Sequence, residues 1–174
     1  MTTTPTTKPP VENTPAPRTT VAAVEALTRT SVRDVFKSML NLEMADDEPL
    51  PLAAEEAGQI VGSVGFMGEV TGIVHLYTGV GFAKTITSRM VGLDEAEVDG
   101  GDMLNDAIAE LGNVVVGAVK SRLCDRGWSC TLTLPSIVRG HQLSVESIAD
   151  ATRTVIGFRA GNQRLIVEML VKNP

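Results

Sequence analysis

The sequence predicts an α+β domain: a mostly antiparallel sheet with one long helix, which carries the candidate site, and additional helices packed on it. Residues 102–124 repeat apolar side chains at intervals of three and four (Leu104, Ile108, Leu111, Val115, Val119), the period of a helix that buries one stripe. Residues 59–66 and 71–78 are strand-like runs around a Met-Gly-Glu turn region and read as a β-hairpin. The order of elements is helix, hairpin, helix, helix, strands, which favours an antiparallel sheet with segregated helices.

The elements follow in order. Residues 2–20 hold eight Thr and five Pro and almost nothing apolar. Such a stretch cannot recover the entropy cost of ordering, so 1–22 is expected to be a disordered Thr/Pro-rich tail and 23–174 the folded domain. A first helix is expected over about 21–43, with its apolar face in Val32, Val35, Phe36, Met39, Leu40 and Leu42 and Ser31 as a cap. The run Asp46-Asp47-Glu48 with Pro49 and Pro51 is a breaker that ends it. After the hairpin, Phe82–Val91 returns to helical period and Gly92 is placed as its C-terminal cap. An acidic loop at 94–99 leads through Gly100-Gly101 into the long helix, whose last turn carries Lys120 and Arg122 against the negative end of the dipole. Strands return at Ser129–Leu134 and Ile137–Arg139, interrupted by Pro135 at an edge or bulge. A final hairpin joins Thr152–Arg159 to Gln163–Val171 around Ala160-Gly161-Asn162.

Composition narrows the function. The chain carries a formal charge of −6 with pI near 4.9, which argues against nucleic acid as partner. No apolar run approaches the ~18 residues of a membrane span, and the first residues lack the pattern of a signal peptide; the expected location is the cytoplasm. Cys124 and Cys130 match neither a zinc nor a redox spacing. His75 lies in the alternating run Ile73–Tyr77 and reads as an ordinary strand position. No metal site is expected from this chain alone. Ser136 has no Gly-x-Ser-x-Gly around it. Gly62, Gly65 and Gly68 read as strand bends rather than a phosphate loop, and Trp128 as a core or interface anchor.

The candidate chemistry lies on the outer side of the long helix. Opposite its apolar stripe stand Asp102, Asp106, Glu110, Asn113 and Gly117. Glu110 and Asn113 are three residues apart and so share one face. By themselves they read as a solvated stripe, the default for an exposed helix face. Asp106 reads either as a solvated carboxylate or as a contact to a basic rim of a partner. Asp102-Met-Leu-Asn105 repeats the spacing, but Asn105 points roughly 80° from Asn113 and is assigned to the start of the helix and its cap.

Glu110-Leu-Gly-Asn113 with Gly117 is accompanied by Gly72 in the hairpin, Ala83 and Met90-Val-Gly92 in the short helix, and Leu134-Pro-Ser-Ile-Val-Arg-Gly140 after the long one. In this order the chain resembles, over roughly residues 28–172, a CheX-type member of the CheC/CheX/FliY group of chemotaxis phosphatases. The resemblance implies a protein phosphatase that hydrolyses the aspartyl-phosphate of a CheY-like response regulator. It implies that Glu110 pairs with a lysine of the regulator's active site and that Asn113 enters the acyl-phosphate pocket and orients the attacking water. Gly117, and Asp106 at the rim, would face the partner; Mg2+ would be supplied by the regulator. It further implies a homodimer. A single Glu-x-x-Asn fits the CheX type better than the two-site CheC type, and three successive valines, Val114–Val116, depart from the expected run after the Asn. The alternative is a non-catalytic module of the same fold that binds a response regulator or a flagellar-switch component; a third reading is a structural dimer without a signalling partner.

Overall fold

A computed structural model of the chain describes residues 21–52, 58–146 and 149–172. Helix α1 spans Val21–Leu40, strand β1 Ala45–Asp47, β2 Gln59–Gly68, β3 Gly72–Gly79, α2 Val80–Val91 and α3 Asp102–Cys124. Strands β4 (Cys130–Leu132), β5 (Ser136–Gly140), β6 (Ala151–Ala160) and β7 (Gln163–Lys172) follow. The sheet order is β1-β6-β7-β3-β2-β4, with β5 also paired to β2. Every pairing among the described residues is antiparallel, as the fold class requires.

Helix α1 already runs at Val21, two residues before the expected start of the domain; the rest of the expected tail lies outside the described residues. Val24, Leu27, Val32, Val35 and Phe36 bury its inner stripe. Two expectations about this helix are corrected. Ser31 is not a cap: it lies at mid-helix, fully buried, because the apolar stripe starts ten residues earlier. The helix also stops at Leu40 rather than 43, since Asn41 turns into the left-handed region (φ 50), a conformation Asn tolerates. The acidic breaker beyond it becomes an edge strand. Asp46 meets Arg29 and Arg33, Asp47 meets Arg164, and the backbone of Asp47 and Glu48 comes so close to Gly157 that a Cβ there would lie 2.5 Å from the Glu48 carbonyl.

The hairpin β2–β3 and the hairpin β6–β7 form as read, the latter turning at Gly161 (φ 61). Helix α2 ends where Gly92 adopts the left-handed conformation (φ 74) and its N–H donates to the Ser88 carbonyl at 2.8 Å. Strands β4 and β5 share β2 as partner and are separated at 133–135, where Gly65 and Thr133 exchange two hydrogen bonds of 2.9 Å. Trp128 is buried in the core.

The two faces of the sheet differ. One shares the main core with the three helices, including Phe36, Phe66, Phe82, Ile108, Leu111 and Phe158. The other carries a small cluster, Val61, Tyr77 and Ile166, beside a buried polar row. In that row Ser63 Oγ lies 2.7 Å from His75 Nδ1, and Glu168, directly across from His75 in the β3–β7 register, accepts from Tyr77 and Arg153. His75 is thus a strand position, as read.

Burial holds His75 below its ordinary value of 6.5, against the attraction of Glu168. The folded chain therefore binds fewer protons at this site than the unfolded one. The stability it contributes is complete above 6.5 and is lost as pH falls toward the folded pKa. Urea unfolding free energy should fall from about pH 7.5 to about pH 5.5, and His75→Gln should flatten that slope. An unchanged slope in the variant would remove His75 from the pH response.

Candidate functional site

Helix α3 occupies the residues expected of it and is held on several sides. Leu104, Ile108, Leu111, Val115 and Val119 point into the core. Two glycines set its depth. A Cβ on Gly62 of β2 would meet Ile108 Cγ2 at 3.0 Å and the Ile108 carbonyl at 3.3 Å, and a Cβ on Gly112 would sit 3.5 Å from Val64. The glycines read as strand bends therefore include one, Gly62, that admits the helix to the sheet. The Val114–Val116 run has a packing reason, since Val115 and Val116 are buried and Val114 lies against the same core.

Arginines fasten the helix near both ends. Arg122 in its last turn donates to Ser31 Oγ and pairs with Asp34 of α1. Arg139 of β5 donates to the carbonyls of Gly100 (2.7 Å) and Gly101 (3.3 Å), the residues just before the helix. Gly101 is the N-cap and supplies no side-chain bond. The capping role expected near Asp102 and Asn105 is thus corrected: Asn105 lies inside the first turns with its Oδ1 buried and without a partner among the described residues. The Arg139 contact was not legible in the sequence, because a strand residue thirty-eight positions away gives no local signal. Arg139→Ala should lower the melting temperature by about 2–4 °C, the loss of roughly one net hydrogen bond; calorimetry showing no decrease would remove it as a fastener.

The outer stripe is free. Asp102, Asp106 and Glu110 are exposed and Asn113 and Gly117 half-buried. Glu110, Asn113 and Asp106 make no hydrogen bond or ion pair with any described residue. Glu110 and Asn113 stand one turn apart, about 5–6 Å between Cβ atoms by helical geometry. A Cβ placed on Gly117 meets no described residue within 4 Å. The structure thus brings together all four residues singled out in the sequence, as a band of unengaged polar groups ending in an open patch. Among the described residues no three of His, Cys, Asp and Glu are grouped to hold a metal ion, and no helix is long and apolar enough to cross a membrane.

An antiparallel sheet with helices on one face, the longest of them presenting Glu-x-x-Asn outward, defines an α+β domain of the CheC/CheX kind. Residues 60–159 match the family described as chemotaxis phosphatase CheX, and the chain belongs to that family. It is 24% identical over 119 residues to the CheY-P phosphatase CheX of Thermotoga maritima, spanning 67% of this chain and 76% of that one. The crystal structure of CheX from Vibrio vulnificus superposes with a TM-score of 0.73 at 21% identity, covering 86% of this chain and 96% of the other. A CheX–CheY complex with BeF3 and Mg2+ from Borrelia burgdorferi matches with a TM-score of 0.68 at 16% identity, over 86% of this chain and 98% of that one. At these identities the superpositions show the shared fold.

Proposed function

We propose that this chain removes the phosphoryl group from the aspartate of a CheY-like response regulator by laying the outer face of α3 on the regulator's active site. The observation that carries this reading is that Glu110 and Asn113 stand on an otherwise fixed helix with no partner among the described residues. The relative from Thermotoga maritima, named for CheY-P, and the Borrelia burgdorferi complex with CheY support it.

The roles follow from phosphoryl-transfer chemistry. The transition state is loose, so positioning and electrostatics outweigh covalent participation. The Asn113 carboxamide accepts a hydrogen bond from water and aims its lone pair at phosphorus without adding negative charge. A carboxylate there would repel the phosphoryl oxygens. Glu110 carries its charge one turn away, where a lysine of the regulator meets it. Mg2+ belongs to the regulator in this scheme. Asp106, exposed one turn before Glu110, adds attraction for a basic rim and acts mainly on the rate of association. The contact is transient, roughly below 1,200 Å². The working form is a homodimer in the cytoplasm, which sedimentation velocity and cell fractionation test.

The deciding experiment is phosphate release from Mg2+-loaded, phosphorylated response regulators of the same cell. Acceleration of one regulator's dephosphorylation establishes the phosphatase and its substrate together. Binding to a phosphorylated regulator without acceleration makes the chain a regulator-binding or switch adaptor instead. Glu110→Ala should weaken the complex and slow the rate, each by about tenfold or more, as expected for one charge-assisted pair; unchanged values for both would take Glu110 out of the site.

A further inference from the structure

The sheet face turned away from the helices holds a cavity of about 550 Å³, within the range of small-molecule sites. It lies between residues 49–52, residues 142–144 and the strands β6 and β7. From its composition we infer that this cavity binds a small monoanionic carboxylate with an apolar body.

The polar groups of its wall are built in. Glu168, Tyr77 and Gln59 are 3%, 6% and 6% exposed. The Glu168 carboxylate is engaged at both oxygens: it accepts from Tyr77 Oη at 3.0 Å, from Arg153 Nε at 2.6 Å and from Arg153 Nη2 at 3.2 Å. Gln59 is engaged on both sides, its Nε2 donating to the Leu52 carbonyl and its Oε1 accepting from the Leu143 N–H. Gln142 and Ser144 also line the cavity but are exposed; beside the buried groups, the one charged group left over among the described residues is a donor. Arg153 Nη1 makes no bond to any described residue, and the Arg153 side chain is half exposed.

The head of the ligand must therefore be an acceptor, and a charged one gains most from a guanidinium. Because Glu168 already balances one positive charge beside it, a single negative charge is favoured over a dianionic phosphate. Leu52, Leu143, Val155 and Ile166, with Pro49 and Pro51, line most of the remaining wall, so an apolar body releases water from that surface. The site is separate from α3: the strands present Val64 and Leu76 to the helix and Tyr77 and Ile166 to the opposite side.

Isothermal titration calorimetry on the full chain at neutral pH tests this with three probes that share one tail: octanoate, octanol and octyl phosphate. Octanoate should bind saturably at one per chain. Octanol should bind roughly tenfold or more weakly, for want of the charge-assisted bond, and octyl phosphate less tightly than octanoate. Arg153→Gln should bring octanoate down to the level of octanol. Val155→Trp, placed on the half-buried wall, should abolish binding while the far-ultraviolet dichroism stays native, and it keeps the test valid where Arg153→Gln fails to fold. No saturable octanoate binding, equal binding of octanol or tighter binding of octyl phosphate would overturn the inference, as would full binding by folded Val155→Trp.

Discussion

Asn113→Ala should fold as the parent does and still bind the phosphorylated regulator, yet turn it over about 10²–10³-fold more slowly, the usual loss when one preorganised polar group is removed at a reacting centre. The fold should be indifferent because the Asn113 side chain makes no bond with any described residue. Removal also shortens a half-buried polar side chain and raises helix propensity slightly, so the melting temperature should hold or rise. Asn113→Asp is the sharper control. It keeps the shape and the acceptor oxygens but sets a negative charge beside the phosphoryl group, and should be as slow as alanine. Phosphate release by stopped-flow, together with a dissociation constant for the phosphorylated regulator, separates the two effects. Equal turnover by Asn113→Ala and the parent would sink the role assigned to this residue, whatever became of the binding.

Gly117→Leu should move stability and activity in opposite directions. Glycine in a helix interior costs up to about 1 kcal/mol relative to a good helix former. No described residue lies within 4 Å of a Cβ at this position, so the free protein should melt at a higher temperature. The same side chain would stand where the partner's surface approaches. Overpacking of a fitted contact costs about 1–3 kcal/mol, so affinity for the regulator should fall by about tenfold or more. A variant more stable than the parent and equally active would show that the partner does not come close at Gly117. Asp106→Asn, tested alongside, should slow association at low salt and change little at high salt, where exposed charges are screened.

The parts legible in the sequence are those governed by neighbours in the chain. Helix α3 was readable because its stripe, the Gly100-Gly101 pair before it and the Lys120 and Arg122 of its last turn are local signals. Gly92 announced the end of α2 for the same reason. Ser31 was misread as a cap because a Ser just ahead of an apolar run is a cap signal, whereas the buried stripe of α1 already runs before it through Val24 and Leu27. Strand β1 was invisible: three residues, two of them aspartates, pair with β6 only because Gly157 leaves room for their backbone. The Glu-x-x-Asn stripe could be found from helical spacing, but that its members lack partners, and that Gly117 opens onto free space, are properties of the folded surroundings. The same holds for the bond from Tyr77 to Glu168, which spans 91 residues.

The arginine contacts near the two ends of α3 have a kinetic consequence. A helix ordinarily frays from its termini, where backbone groups lack partners, and its amides exchange with solvent through those partial openings. Here Arg139 holds the residues leading in, and Arg122 ties the last turn to α1. The central amides of α3, those of 108–116, should therefore exchange with deuterium only when the whole domain opens. Glu110 and Asn113 would then be presented by the slowest-exchanging backbone of the molecule, so that under the proposed function this face would meet a regulator already set, with no ordering step of its own to slow the encounter.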